Sequence, residues 1–322
     1  MSDMGEVVGR FAPTPSGRMH LGNLFSCLLV WLSARSQGGK IILRMENLDP
    51  QRTSRAYGEQ LMADLRLLGL TWDEGPYWQS ERGGYYQQCL DRLHQLGVVY
   101  KCFCSRAELH AAEANAANAP HVSDGEYIYS GKCRKLTEEQ VTRLEGSRSP
   151  ALRLLVSGWE EFTDGHYGPQ RCHLPSQCGD FILRRSDGVF AYQLAVTADD
   201  GAMGITEVAR GRDLLGSTPR QLYLYRLLGL TPPRFIHLPL LLAEDGRRLS
   251  KRDGDLGLDG LLERFSPEEL VGWLAYLAGQ IDRPEAVRPG ELVEDFDWEK
   301  TPREDIVVGA DFFHEFTHDF AI

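Results

Sequence analysis

The chain has 322 residues, 42% of them hydrophobic, with 35 basic against 46 acidic side chains for a net charge of −11. That supplies core for one large domain or two to three modest ones, and it excludes a uniformly basic nucleic-acid coat while allowing a local basic groove. With no apolar run near the ~20 residues of a membrane span, no apolar leader and seven cysteines, the expectation is a cytoplasmic protein with reduced thiols.

The first expected element is a strand over Val7 to Ala12, running into the turn Pro13-Thr14-Pro15-Ser16-Gly17. Apolar residues at Leu21, Leu24, Phe25, Leu28, Leu29 and Leu32 then recur at helical spacing. Gly38-Gly39 closes that helix, and Lys40 to Met45 reads as the next strand. Strand, turn, helix and parallel strand open a doubly wound sheet. Helices are expected near Ser54 to Leu68 and Gly84 to Leu96. From Tyr100 the texture changes to paired cysteines, an Ala/Asn-rich piece and short β-prone runs, the signature of an insertion lasting to about Gly188. The α/β pattern returns at Phe190 to Val196, with a helix over Pro219 to Leu228 and a strand near Phe235 to Leu240. Beyond Asp255 the pattern is helical to about Gly279, and the acidic end carries no clear pattern.

Three groups of residues carry chemistry. Met19-His20-Leu21-Gly22-Asn23 stands where the first strand hands over to its helix. Unpaired N–H groups there seat phosphate, Gly22 permits close backbone approach, and His20 can donate to phosphoryl oxygens as charge builds. A plain helix-capping turn is the competing reading. Arg248-Leu249-Ser250-Lys251-Arg252-Asp253-Gly254 is a basic, glycine-closed loop that can bring Lys251 to the same phosphates. Cys102, Cys104 and Cys133 form a three-thiol set for a tetrahedral metal, the fourth donor being open among His110, His121, Tyr127 and Tyr129; imidazole is the chemical favourite, and three buried free thiols are the alternative. Cys172-His173 with Cys178 offers a weaker second set lacking a fourth donor.

Taken together, Arg10-Phe11-Ala12-Pro13-Thr14-Pro15-Ser16-Gly17, then His20-Leu21-Gly22-Asn23, then Arg248-Leu249-Ser250-Lys251-Arg252 resemble the class I glutamyl-tRNA synthetases, with their glutamate-site signature, HIGH motif and KMSKS loop. The likeness continues through Leu43 to Asp49, Trp72 to Tyr77, Gln79 to Arg82, Ala209-Arg210-Gly211 and Ser217 to Arg220. It departs at Asn23, where the motif has a second histidine, and at Arg248, Leu249 and Arg252 of the loop. Only 71 residues follow Lys251, few for the helical domains that read an anticodon. The chain therefore looks like the truncated branch of that family, which esterifies glutamate to queuosine at the first anticodon position of tRNA(Asp).

The resemblance implies an α/β fold of the class I synthetase type, a Rossmann-like doubly wound parallel sheet. Its halves would cover 1–100 and 189–255, around an inserted zinc-bearing module at 101–188. A helical stem-contact-like segment at 256–322 would follow, with no anticodon-binding domain. It implies ATP, Mg²⁺ and structural Zn²⁺, with activation of glutamate before tRNA binds. Arg10, Phe11, Ala12, Pro13, Thr14, Glu46, Tyr192 and Arg210 would hold glutamate; His20, Gly22, Asn23 and Lys251 would hold ATP, with His20 and Lys251 catalytic. Cys102, Cys104, Tyr129 and Cys133 would hold the metal. A guanidinium pocket of this kind predicts glutamate over glutamine. Rival readings are a glutamyl-tRNA synthetase fragment charging the 3′ end of tRNA(Glu), a non-catalytic glutamate- or tRNA-binding regulator, and a nucleotidyltransferase acting on a small metabolite.

Overall fold

A computed structural model describes residues 6–105, 107–109, 128–247, 249 and 257–309. Strand β1 (Val8–Phe11) leads to helix α1 (Leu21–Ser36), and β2 (Lys40–Met45) returns parallel to β1 with Arg10 opposite Ile42. Gly38, at φ +67°, takes the left-handed conformation that turns the chain out of α1. Helix α2 (Arg55–Leu67) starts at Ser54, whose hydroxyl accepts from Tyr57 N, and β3 (Glu74–Trp78) adds to the far edge of β2. Helix α3 (Gly83–Gln95) follows.

The antiparallel strands come next: β4 (Val99–Cys102), helix α4 (Glu138–Glu145), β5 (Ala151–Leu154), the hairpin β6 (Trp159–Asp164) and β7 (Gly168–His173), and β8 (Phe181–Arg184). Their sheet order is β4-β5-β8 with β6-β7 apart. The described residues of this part form a small cluster of their own around Cys102, Tyr129 and Cys133. Leu154, Leu174 and Leu183 pack with Tyr86, Leu90 and Leu93 of α3 and with residues of the helices that follow.

Helix α5 (Tyr192–Ala202), β9 (Glu207–Gly211), α6 (Thr218–Leu228) and β10 (Arg234–Leu238) restore the winding, β10 parallel to β9. β9 lies along the open edge of β1, where Thr206 N donates to Val8 O (3.0 Å). The spatial order is thus β3, β2, β1, β9, β10, and its reversal between β1 and β9 is where open α/β sheets leave a crevice at the strand C-termini.

Among the described residues beyond 256, α-helix is confined to α7 (Leu258–Leu262) and α8 (Pro267–Leu277), the latter packed on α1 with Trp273 fully buried. The expectation of a helical 256–322 is corrected over 279–309, where the only helical turns are short 3-10 ones; residues 310–322 lie outside the described residues. After Gly279, prolines at 284, 289 and 302 leave no room for a long helix, and the chain straps back across the sheet domain. Trp298 Nε1 donates to Ser33 Oγ (3.0 Å), and β11 (Leu241–Leu242) pairs parallel with β12 (Ile306–Val307). No helix among the described residues is long and apolar enough to cross a membrane.

Candidate functional site

The crevice at the C-termini of β1 and β9 opens into a cleft of about 770 Å³. Its walls include Arg10, Phe11, Ala12, Pro13, Thr14, His20, Asn23, Glu46, Tyr192 and Arg210, residues separated by up to 200 positions in the chain. Leu249 borders it as well and is buried. Arg248, Ser250, Lys251 and Arg252 lie outside the described residues. Gly22 does not border the cleft. A Cβ there would press on the His20 ring at 3.3 Å, so this glycine makes room for the imidazole.

Three arginines and three carboxylates interlock at the floor. Arg44, fully buried, reaches Asp200 at 2.6 Å, Glu46 at 3.1 Å and Asp199 at 3.7 Å. Arg10 Nε lies 3.4 Å from Asp200 Oδ1, and Arg82 Nε lies 2.6 Å from Asp199. Burial works against charge on Arg44, but Asp200, Glu46 and Asp199 together raise its pKa. Glu46 is raised by burial, with Arg44 and Arg10 pulling the other way. An added ammonium would favour its charged form.

Arg210 is the exception. It is buried, yet its bonds go to neutral atoms: Nε to His237 Nε2 (3.1 Å), one terminal nitrogen to Thr218 Oγ1 (2.8 Å) and Leu214 O (3.3 Å). Its other terminal nitrogen, Nη1, has no hydrogen-bond partner among the described residues. Burial and nearby Arg10 lower its pKa. A buried guanidinium without a carboxylate costs folding free energy, so the geometry asks for an anionic ligand. Tyr192, whose phenol burial keeps protonated, faces the same space.

His20 sits at the mouth of α1. Its amide donates to Asn23 Oδ1 (3.3 Å), its carbonyl accepts from Leu24 N (3.1 Å), and its backbone bridges to Gly257. Asn23 therefore caps the helix from the position where the motif has a second histidine. Arg18 ties Asp64 of α2 (3.2 Å) to Asp259 of α7 (2.8 Å), fixing the chain just beyond the basic loop.

A second cavity of about 900 Å³ adjoins the first, sharing Thr14, Ser16, Glu46 and Tyr192, and continues past Arg52, Arg153, Arg185 and Phe190 toward the antiparallel strands. Two arginines of this region are paired with carboxylates, Arg212 with Asp305 and Arg185 with Asp187 and Asp49. Sequence reasoning gave no role to Arg44, Asp164, Asp199, Asp200 or His237. Charged residues inside otherwise apolar strands and helices were the available signal.

On β4 and its surroundings, the sulfurs of Cys102, Cys104 and Cys133 lie within 4.8 Å of one another, a group able to hold a metal ion. Tyr129 Oη is 3.5 Å from Cys102 Sγ and 3.7 Å from Cys104 Sγ, and Cys104 Sγ is 3.6 Å from Cys133 Sγ. His110, His121 and Tyr127 lie outside the described residues. Cys172 and Cys178 approach to 3.5 Å, but His173 turns to Ser176.

Residues 6–265 match the family model of class I tRNA synthetases (E and Q), catalytic domain. The chain is 51% identical over 318 residues to a glutamyl-Q tRNA(Asp) synthetase of Symbiobacterium thermophilum, covering 95% of this chain and 97% of that one. It is 38% identical over 309 residues to a glutamate–tRNA ligase of Coprothermobacter proteolyticus, covering 93% of this chain but 64% of the ligase. The crystal structure of a glutamate tRNA ligase from Elizabethkingia meningosepticum in complex with its amino acid superposes with a TM-score of 0.81 at 27% identity, over 98% of this chain and 70% of that one.

Proposed function

The chain belongs to the class I tRNA synthetases for glutamate and glutamine, and from that membership we propose an ATP-dependent ligase that activates L-glutamate and transfers it to queuosine of tRNA(Asp). The observation that carries the reading is the single cleft holding Arg10, Arg210, Glu46 and the His20 helix end, with Arg210 lacking a carboxylate. A glutamate side-chain carboxylate supplies that missing anion, and Glu46 takes the ammonium. The α-carboxylate then attacks the α-phosphorus of ATP in line and pyrophosphate leaves. The α1 N-terminus, His20 and Lys251 stabilise charge on the phosphoryl oxygens by positioning and electrostatics, so no covalent enzyme nucleophile is needed. Mg²⁺ bound with the nucleotide would neutralise charge on its phosphates. A queuosine hydroxyl, entering through the adjoining cavity, attacks the adenylate carbonyl and AMP departs. Such a tRNA-modifying role places the protein in the cytoplasm, and the first step needs no tRNA.

The test incubates the protein with labelled glutamate, ATP and tRNA from cells with or without queuosine. Label should enter tRNA(Asp) and vanish with queuosine-free tRNA. Label in tRNA(Glu) supports the fragment reading instead, and no labelling with no pyrophosphate exchange supports a regulator.

The four-donor cluster fits Zn²⁺ as a structural ion. Bonds of ~2.3 Å in a tetrahedron place donors ~3.7 Å apart, close to the 3.5–3.7 Å separations found among Tyr129 and the thiols. Cys133 N donates to Tyr129 Oη (2.8 Å) and the Arg153 guanidinium lies 3.9 Å from the ring centroid, both favouring a phenolate donor. The ion would staple the small cluster that Cys102, Tyr129 and Cys133 form in this module. Purified protein should carry one zinc per chain by atomic absorption. Cys133→Ser should lose the metal and lower the Tm by roughly 5 °C or more, and unchanged zinc content in that variant removes the assignment.

A further inference from the structure

The partner of Arg210 leads to a residue outside the motifs. His237, on β10, stands opposite Arg210 of β9 in the parallel register, and both are buried. Its Nδ1 lies 2.6 Å from Asp164 Oδ2, with both side chains wholly enclosed. Asp164 is itself held at the end of β6, where its Oδ1 accepts from His166 N (3.0 Å) and Tyr167 N (2.9 Å).

The protonation pattern follows from donors and acceptors alone. Arg210 Nε is always a donor, so the His237 Nε2 facing it at 3.1 Å must carry a lone pair. The ring proton then sits on Nδ1 and is donated to Asp164. An imidazolium would set two donors against each other. Burial, with Arg10 and Arg210 nearby, agrees, lowering the His237 pKa to about 4 despite Asp164. Thr218 completes the ring of contacts: its Oγ1 accepts from Arg210 (2.8 Å) and lies 3.3 Å from His237 Nε2, able to donate there.

Resting on the glutamate reading above, we propose that His237, oriented by Asp164, is a positioning residue that aims the free Arg210 nitrogen at the amino-acid side chain and so sets the preference for a carboxylate over an amide. Two consequences carry this. The Asp164 charge sits one ring behind Arg210, which polarises the chain without neutralising the guanidinium by direct pairing. In addition, the acceptors nearest Arg210 are already engaged, Nε2 by Arg210 and Thr218, and Oγ1 by Arg210. A glutamine amide N–H would face the Arg210 N–H donor and have to compete with Arg210 for these acceptors, a mismatch of the kind that polar sites reject strongly.

The test is glutamate-dependent pyrophosphate exchange by the full chain, comparing wild type, His237→Asn and His237→Gln, each with glutamate and with glutamine. Asn keeps a donor for Asp164 but withdraws the acceptor from Arg210. Gln returns an acceptor at the position of Nε2. Expected for His237→Asn is a KM for glutamate raised roughly 10-fold or more, a Glu/Gln preference reduced by a similar factor, and kcat and the KM for ATP within about 3-fold. His237→Gln should recover most of the KM. A KM for glutamate changed less than about 2-fold in His237→Asn, or an equal defect in His237→Gln, overturns the proposal. Should the variants fail to fold, ¹⁵N-histidine spectra of the wild type decide: Nδ1 protonated and Nε2 bare at neutral pH is expected, and the opposite tautomer or an imidazolium overturns it. No exchange at all by a folded wild type defeats the glutamate reading first and the proposal with it; normal exchange with an indifferent His237→Asn defeats the proposal alone.

Discussion

Arg210→Met is expected to lower kcat/KM for glutamate about 10³-fold, within the 2–5 kcal/mol range for truncating one member of a buried charge pair, while leaving the KM for ATP within a few-fold. Methionine fills similar volume without donors, so the incoming carboxylate would be desolvated facing an apolar stem. Arg10 can compensate only in part, because Asp200, 3.4 Å from its Nε, already offsets some of its charge. Arg210→Lys should recover little: an ammonium lacks the Nε that bonds His237 and cannot present a planar fork. Stability should move the other way. Arg210 is buried with no carboxylate partner of its own, so the free protein bears its desolvation and the variant should melt no lower than wild type, and even slightly higher. Pyrophosphate exchange and thermal melting of the same preparations check both halves. A kcat/KM within 10-fold of wild type would show that another group meets the side chain.

The contrast between what was readable in the chain and what was not follows the range of the forces involved. Local physics marked α1, β2 and α2 within a residue or two, because apolar spacing, Gly38 and the Ser54 cap act over a few positions. The cleft walls were likewise legible, since Arg10, His20 and Arg210 stand in short motifs at strand ends, where the sheet's reversal gathers them. What holds those walls was not. Arg44 meets Asp200 across 156 positions and His237 meets Asp164 across 73, and no local pattern records a partner so distant. Arg212 likewise finds Asp305 across 93 positions, supplied by the returning C-terminal strap. That strap itself escaped because its order comes from tertiary pairings, Trp298 on Ser33 and β12 on β11, rather than from any periodicity.

His20→Ala separates chemistry from scaffolding at the other end of the cleft. Most of what holds the turn at His20 runs through its backbone: the amide to Asn23, the carbonyl to Leu24 N and the bridge to Gly257, with the side chain closing a capping box toward the Asn23 amide. Alanine keeps the three backbone contacts, and the neighbouring Leu258 N to Met19 O bond (3.0 Å) is untouched. The variant should therefore fold, at a cost of about 1 kcal/mol for the lost cap, and bind glutamate as before, since Arg210, Glu46 and Tyr192 are unchanged. What it loses is a donor beside the α1 N-terminus, where charge develops on the phosphoryl oxygens. Removal of one preorganised donor of this kind costs roughly 10²–10³ in rate, so kcat for pyrophosphate exchange should fall by that factor with the KM for glutamate little altered. A loss below about 3-fold would leave the helix end and the basic loop to carry the phosphoryl chemistry without the imidazole. A defect confined to KM would instead move His20 from the reaction to binding.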